Sequence, residues 1–127
     1  MPDRIEKTDA EWRESLTPGQ YRVLRERGTE RPFSATLAHT DGVYRCAACQ
    51  TPLFAGANRF DSRSGWPSFS DVADRANVAL HDDRTHGMVR IEVACAACGG
   101  HLGHVFDDGP APTGLRYCIN AAALEAA

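Results

Sequence analysis

The stretch Leu115–Asn120, LRYCIN, alternates between apolar and polar side chains near the C-terminus. In an extended strand, successive side chains point to opposite faces, so the odd-numbered residues share a face suited to a core. The even-numbered residues, Arg116, Cys118 and Asn120, share the other face. A guanidinium close to a thiol favours the thiolate and lowers the pKa of the thiol toward neutrality. The stretch is therefore either a half-buried strand with an inert cysteine or a strand that presents a nucleophile.

Length and charge limit the class of protein. The 127 residues predict one domain, with a helical and wrapping N-terminal arm at 1–40 and a β core at 41–120. A net charge of −3 gives no general attraction to nucleic acid or to an anionic membrane, so neither is expected as a partner. The N-terminus lacks the apolar run of a secretory signal, and no segment is long enough for a membrane helix. We therefore expect a cytoplasmic protein, and a monomer.

Two capping-box patterns predict short N-terminal helices. Thr8–Glu11 and Thr17–Gln20 each place threonine three residues before a glutamate or glutamine. The second helix is expected to run from Pro18 to about Arg27 and to stop at Gly28.

From residue 41 onward the pattern is typical of strands separated by Gly, Pro, Asn and Asp. The strongest alternation is at Met88–Ala94, where valine and isoleucine are expected to face the core, and Arg90 and Glu92 to face water. The predicted fold is mainly β, with antiparallel sheets. The expected strands are Val43–Cys46, Pro52–Ala55, Val78–Asp82, Met88–Ala94, His101–Phe106 and Leu115–Ile119.

Four of the five cysteines form two Cys-Ala-Ala-Cys motifs, at 46–49 and 95–98. Two such turns can supply a tetrahedral shell of four thiolates, which favours Zn²⁺. The shell would leave no open position for water or substrate, so the metal is expected to be structural. The alternatives are two dithiol redox motifs or four buried thiols. The predicted zinc ligands are Cys46, Cys49, Cys95 and Cys98.

Once these four are assigned, Cys118 remains as the candidate nucleophile. His101 and His104 are candidate acid–base groups, although a single histidine is usually a surface or core residue. Three residues apart, they would point to different faces of a regular strand, but Gly103 allows a bend that brings both toward one pocket. Trp66 lies on a loop and is either a core residue or part of a binding site.

Several short motifs stand out along the chain. They are LTPGQY at 16–21, GWPSF at 65–69, HLGHVF at 101–106, RYCIN at 116–120 and the two Cys-x-x-Cys pairs. Together, in order and over nearly the whole chain, they resemble the methionine-R-sulfoxide reductase (MsrB) family. The resemblance implies two antiparallel β-sheets with short N-terminal helices and a structural zinc held by the paired cysteines. It also implies reduction of methionine-R-sulfoxide, free or in proteins, to methionine.

The resemblance also implies roles for individual residues. Cys118 would attack the sulfoxide sulfur and become a sulfenic acid, while Trp66, with Phe106, would hold the substrate's methyl group. Sulfoxide oxygen leaves only after protonation, so the site needs a thiolate, an acid and an apolar wall together. The residues expected to line the polar side of the site are His101, His104, Asp108, Arg116 and Asn120.

One departure concerns recycling. Many family members read Ser-Gly-Cys-Gly-Trp where this chain has Ser62–Trp66, so Ser64 takes the place of their resolving cysteine. An external thiol is therefore expected as reductant, either thioredoxin or glutaredoxin with glutathione. The competing interpretation of the whole chain is a zinc-ribbon binding module in which Cys118 is merely buried.

Overall fold

The computed structural model describes residues 5–31, 37–84 and 87–126. Two α-helices, α1 (Asp9–Ser15) and α2 (Pro18–Leu24), begin at the two predicted capping boxes. In each, the threonine side chain accepts from the backbone amide three residues on, and the side chain at that position accepts from the threonine amide. Within these ranges, no helix is long and apolar enough to cross a membrane.

Helix α2 is shorter than its sequence predicts. It ends at Leu24, and the residue with a left-handed backbone is Arg27, with φ of 57°, rather than Gly28. The Gly28 amide donates to the carbonyl of Arg22 at 2.8 Å, which closes the helix end. A Cβ on Gly28 would lie 2.9 Å from that same oxygen. Glycine is thus needed here for close approach of the backbone, and not for its φ angle.

The strands form two antiparallel sheets, as predicted. The smaller sheet has the order β2-β1-β9 and the larger has the order β3-β4-β8-β7-β6-β5. Three strands were not expected from the sequence, namely β3, β4 and β9. The strands are β1 (Val43–Cys46), β2 (Pro52–Ala55), β3 (Arg59–Phe60), β4 (Ser68–Phe69), β5 (Val78–Asp83), β6 (Arg90–Cys95), β7 (His101–Phe106), β8 (Arg116–Ile119) and β9 (Leu124–Ala126).

An aromatic cluster joins the two sheets. Phe54 of β2 stacks on Phe69 of β4 with ring centroids 4.6 Å apart, and Tyr44 of β1 meets Phe69 edge-on at 5.3 Å. Tyr117 of β8 lies 5.8 Å from Phe54. All four rings are buried. The core face of the LRYCIN stretch is therefore packed against the smaller sheet, and its polar face is left for other uses.

Strand β6 contradicts part of the predicted assignment of its faces. Val93 is buried as predicted, but Ile91 is 43% exposed and Val89, just before the strand, is 73% exposed. Glu92, which was expected to face water, is only 7% exposed. Its carboxylate is paired with the Arg27 guanidinium at 3.1 Å and with His101 at 2.6 Å. Alternation therefore identified the core position of Val93 but not the covered polar face at Glu92.

A bulge in β7 brings the two histidines onto one face. Val93 pairs with Gly103 but Ala94 pairs with His101, so Leu102 is an extra residue in the ladder. His104 pairs with Glu92. Both imidazoles therefore project on the face that carries Glu92, and the cause is the inserted Leu102 and not a bend at Gly103.

Candidate active site

A cleft of about 310 Å³ opens on the polar face of the larger sheet. Strands β7 and β8 set its floor, because His104 pairs directly with Cys118 and Phe106 pairs with Arg116. The cleft collects residues from a loop, from the three adjacent strands β6, β7 and β8, from the position just after β8, and from the segment after helix α2. The lining residues are Thr29, Ser64, Trp66, Arg90, Gly103, His104, Phe106, Arg116, Cys118 and Asn120.

Cys118 is half-buried and lines this cleft, so it is not enclosed in the core. Burial raises the pKa of its thiol above the ordinary value. The Arg116 guanidinium and the Ser64 hydroxyl both act to lower that pKa, but they do not outweigh burial. The expected direction of the Arg116 effect is therefore correct, while the expected net shift toward neutrality is wrong. In the free protein, the thiol keeps its proton at neutral pH.

Arg116 is fixed from two sides. Its guanidinium makes paired hydrogen bonds to Asp108 at 2.9 and 3.2 Å and lies 4.5 Å above the centre of the Phe106 ring. Arg116 in turn holds the pKa of the Asp108 carboxyl below its usual value. Asp108 does not line the cleft. Its hydrogen bonds to Arg116 orient the guanidinium and offset part of its charge, and its own charge acts to raise the pKa of Cys118.

Trp66 and Asn120 are both held by Glu30, in the segment that follows helix α2. The indole Nε1 of Trp66 donates to the Glu30 carbonyl at 2.9 Å, and the Glu30 amide donates to the Asn120 side chain at 2.9 Å. The Asn120 amide group also donates to the carbonyl of Leu102 at 3.0 Å. This segment of the predicted wrapping arm therefore fixes one wall of the cleft and ties it to β7.

The two histidines occupy different positions relative to the cleft. His104 lines it, and its Nε2 lies 2.7 Å from Asp83. His101 lies behind the cleft at 2% exposure, with Nδ1 bonded to Glu92 and Nε2 without a partner among the described residues. Burial lowers the pKa of His101, against the opposing effect of Glu92. The ring centroids are 5.5 Å apart.

The four paired cysteines converge as the sequence predicts. Their sulfur atoms all lie within 4.8 Å of one another, with Cys46–Cys98 at 3.7 Å and Cys49–Cys95 at 3.6 Å. A tetrahedral ion with metal–sulfur bonds of about 2.3 Å requires sulfur atoms about 3.8 Å apart. Close contact with Cys49 and the other sulfurs raises the pKa of Cys46, so four thiolates need a cation to coexist. The donor set therefore fits one bound metal ion.

Sequence reasoning missed the supporting residues of the cleft. Arg90 lines it directly, while the carboxylates of Asp83 and Glu92 hold the two imidazoles from behind. The available signal was the pair of charged residues Arg90 and Glu92 on β6, the strand that precedes the two histidines. We interpreted that pair as a solvated face because alternation alone does not reveal whether a polar face is covered.

Comparison with known proteins agrees with this geometry. Residues 16–127 match the SelR domain. The chain is 58% identical to the peptide methionine sulfoxide reductase MsrB of Agrobacterium fabrum, over 92% of this chain and 88% of that protein. It is 56% identical to the protein of the same name in Pseudomonas fluorescens, over 97% and 96% of the two chains. The Methanosarcina mazei MsrB is 54% identical, over 96% and 89%. The chain therefore belongs to the SelR domain family of MsrB proteins.

Proposed function

We propose that the chain reduces the sulfoxide of methionine to methionine, with a preference for the R epimer. The observation that carries the proposal is the position of Cys118. Its thiol lies in a cleft beside a fixed guanidinium and directly across from His104, in a member of the MsrB family. Methionine sulfoxide, free or within a polypeptide, is the substrate class.

The apolar part of the substrate has a wall to rest on. Trp66 lines the cleft with its indole nitrogen already bonded, which leaves the ring face for the S-methyl group. Phe106 lines the same cleft but lies under Arg116, so it contributes less open ring surface. We assign the main methyl contact to Trp66 and a supporting contact to Phe106.

The chemical step transfers one oxygen atom and two electrons. The sulfur of Cys118 attacks the sulfoxide sulfur as a thiolate, and the sulfoxide oxygen takes up a proton. The bond between methionine sulfur and oxygen then breaks, the hydroxyl ends on Cys118 as a sulfenic acid, and methionine leaves as the thioether. Because burial keeps the resting thiol protonated, Cys118 loses its proton within the complex with substrate.

The polar residues divide into two groups. His104, Arg116 and Asn120 line the cleft, and we assign them direct contact with the sulfoxide oxygen or with water. His101 and Asp108 do not line it, and we assign them indirect roles, in which His101 packs beside His104 and Asp108 orients Arg116. In this assignment His104 is the proton donor to the oxygen.

Recycling of Cys118 requires an external thiol. The four paired cysteines are gathered around one point, and Ser64, at the place of the usual resolving cysteine, cannot form a disulfide. The sulfenic acid is therefore attacked by a thiol of thioredoxin, or by glutathione with glutaredoxin, which releases water and leaves a mixed disulfide. A second thiol then releases Cys118 and completes the two-electron reduction.

The metal held by Cys46, Cys49, Cys95 and Cys98 is proposed to be Zn²⁺. Four thiolates in a closed shell suit a structural zinc, and the ion supplies folding energy without taking part in the reaction. A cytoplasmic location fits this assignment, because a reducing compartment keeps the four thiolates and Cys118 out of disulfides. We further propose that the enzyme acts as a monomer.

Assays on the two separated sulfoxide epimers test the function. With dithiothreitol as reductant, the wild-type protein is expected to convert methionine-R-sulfoxide and to leave the S epimer unchanged. Cys118→Ser is expected to lose at least a thousandfold in rate while retaining its metal and its melting temperature, because a hydroxyl cannot replace the thiolate. Equal turnover by Cys118→Ser, or conversion of neither epimer by the wild type, would contradict the proposal.

A single-turnover experiment tests the recycling route. Substrate added without reductant is expected to release about one methionine per chain and to leave a sulfenic acid on Cys118 that dimedone traps. Mass spectrometry then identifies the modified residue. A disulfide between Cys118 and any of the other four cysteines, formed as fast as methionine is released, would replace the external-thiol cycle with an internal one.

A further inference from the structure

Asp83, at the end of strand β5, is a buried carboxylate that contacts two residues of the cleft. It is 5% exposed, and its Oδ2 lies 2.7 Å from Nε2 of His104 and 3.5 Å from the guanidinium of Arg90. Both of these partners line the cleft, whereas Asp83 itself does not. A buried carboxylate requires such partners to offset its loss of hydration. Asp83 is therefore placed to act on the site through His104 and Arg90.

The contact determines which nitrogen of His104 remains available. When Nε2–H donates to a carboxylate, the ring orientation and the neutral tautomer are both fixed. The second nitrogen, Nδ1, is then the one that exchanges a proton with groups in the cleft. His104 pairs across the sheet with Cys118 and lines the same cleft, so this nitrogen is the one that can accept the proton that the thiol loses.

A second carboxylate–imidazole pair lies next to the first and differs from it in one respect. Glu92 holds Nδ1 of His101 at 2.6 Å, but the other nitrogen of His101 is buried and has no partner in the described part of the chain. His101 itself does not line the cleft. Of the two pairs, only Asp83–His104 links a buried carboxylate to an imidazole that lines the site.

We propose that Asp83 is a positioning residue for sulfoxide reduction: it accepts from Nε2–H of His104, so that Nδ1 takes the proton lost by Cys118 and passes it to the sulfoxide oxygen. This inference rests on the proposed function and adds a residue that does not touch the substrate. Among the described residues, the other charged or titratable groups beside His104 lie on three strands, and all of them are retained in the variants below. They are Arg90 and Glu92 on β6, His101 on β7, and Arg116 and Cys118 on β8.

The chain offers a matched control in the adjacent residue. Asp82 is an exposed aspartate on the same strand, and its side chain lies on the opposite face of the sheet from that of Asp83. It pairs with Ile91.

Asp83→Asn is expected to slow methionine release in a single turnover about 100-fold, which is the range for loss of a proton donor. The apparent Kd for methionine-R-sulfoxide should change less than about threefold. Asp82→Asn should stay within about twofold on both measures, and Asp83→Glu should recover part of the rate.

Nitrogen-15 NMR of the substrate-free protein provides a readout that does not depend on activity. In the wild type, neutral His104 is expected to carry its proton on Nε2, and in Asp83→Asn to show a mixture of the two tautomers. A wild-type His104 protonated on Nδ1 overturns the proposal even if Asp83→Asn fails to fold. Equal single-turnover rates for Asp83→Asn and Asp82→Asn also overturn it. Failure of the wild type to reduce either epimer would refute the proposed function, while the tautomer would still report on Asp83.

Discussion

At the scale of single residues, two opposing effects act on the thiol of Cys118: burial raises its pKa, and the guanidinium of Arg116 lowers it. Alternation in Leu115–Asn120 placed Cys118 and Arg116 on one face, and the structure confirms this. The net pKa shift of Cys118 depends on how deeply the cleft buries the thiol, which no local pattern encodes. The partners of the two histidines come from β5 and β6, far away in sequence, so Asp83 and Glu92 were not identified.

The effect of Arg116 on the thiol can be measured by alkylation. Iodoacetamide reacts with the thiolate, so the reaction rate of Cys118 should rise with pH, with a midpoint above the ordinary thiol pKa. Arg116→Ala removes the cation that favours the thiolate, and should move the midpoint upward. Below the midpoint, each unit of upward shift slows alkylation about tenfold.

Mass spectrometry assigns the label to Cys118, and Arg22→Ala, which changes an exposed arginine on helix α2, serves as the control. The midpoint of the control should match that of the wild type. If Arg116→Ala also leaves the midpoint in place, Arg116 does not stabilise the thiolate, and its role is confined to contact with the substrate.

At the scale of strands, close approach of two backbones decides whether His104 and Cys118 meet. A Cβ on Gly103 would lie 2.1 Å from the carbonyl oxygen of Cys118, so only glycine allows β7 and β8 to pair at this point. The sequence analysis identified Gly103 as important but for the wrong reason, because the extra residue of the bulge is Leu102. A bulge depends on the register between two strands, which neither strand reveals alone.

Gly103→Ala is therefore expected to damage both stability and activity. The backbones must separate or the ladder must break, and we expect a loss of about 3 kcal/mol in the free energy of unfolding. Urea denaturation measures this loss, and the epimer assay should show reduced turnover in the fraction that remains folded.

Gly19→Ala provides the comparison. Gly19 lies in helix α2 with nothing within 4 Å of an added Cβ, so alanine should be neutral or should stabilise the helix by up to about 1 kcal/mol. If both variants had the same stability, steric exclusion at Gly103 would not be the reason for glycine there.

At the scale of the whole molecule, two features join the sheets. The aromatic cluster packs β1 and β2 against β4 and β8, and the cysteine cluster connects the end of β1 to the end of β6. The Cys-x-x-Cys spacing made the second feature predictable, since ligand spacing is local and chemically specific. The aromatic cluster was predictable only as a set of apolar positions. The pairing of β9 with β1 was not expected, because a strand of three residues carries too short a pattern.

Removing one metal ligand should therefore loosen the connection between the sheets. In Cys46→Ser or Cys95→Ser, a hydroxyl replaces one of four buried sulfurs, and metal content and stability should fall together because metal binding energy is folding energy. We expect a loss of about 3–5 kcal/mol, or roughly 10 °C or more in Tm. Metal analysis of the purified protein and thermal unfolding measure the two quantities.

Cys118→Ser is the control, since it also removes a thiol but leaves the cluster complete. A wild-type protein that contains no metal, yet melts at the same temperature after zinc is added, would show that the four thiols stabilise the fold without a cation.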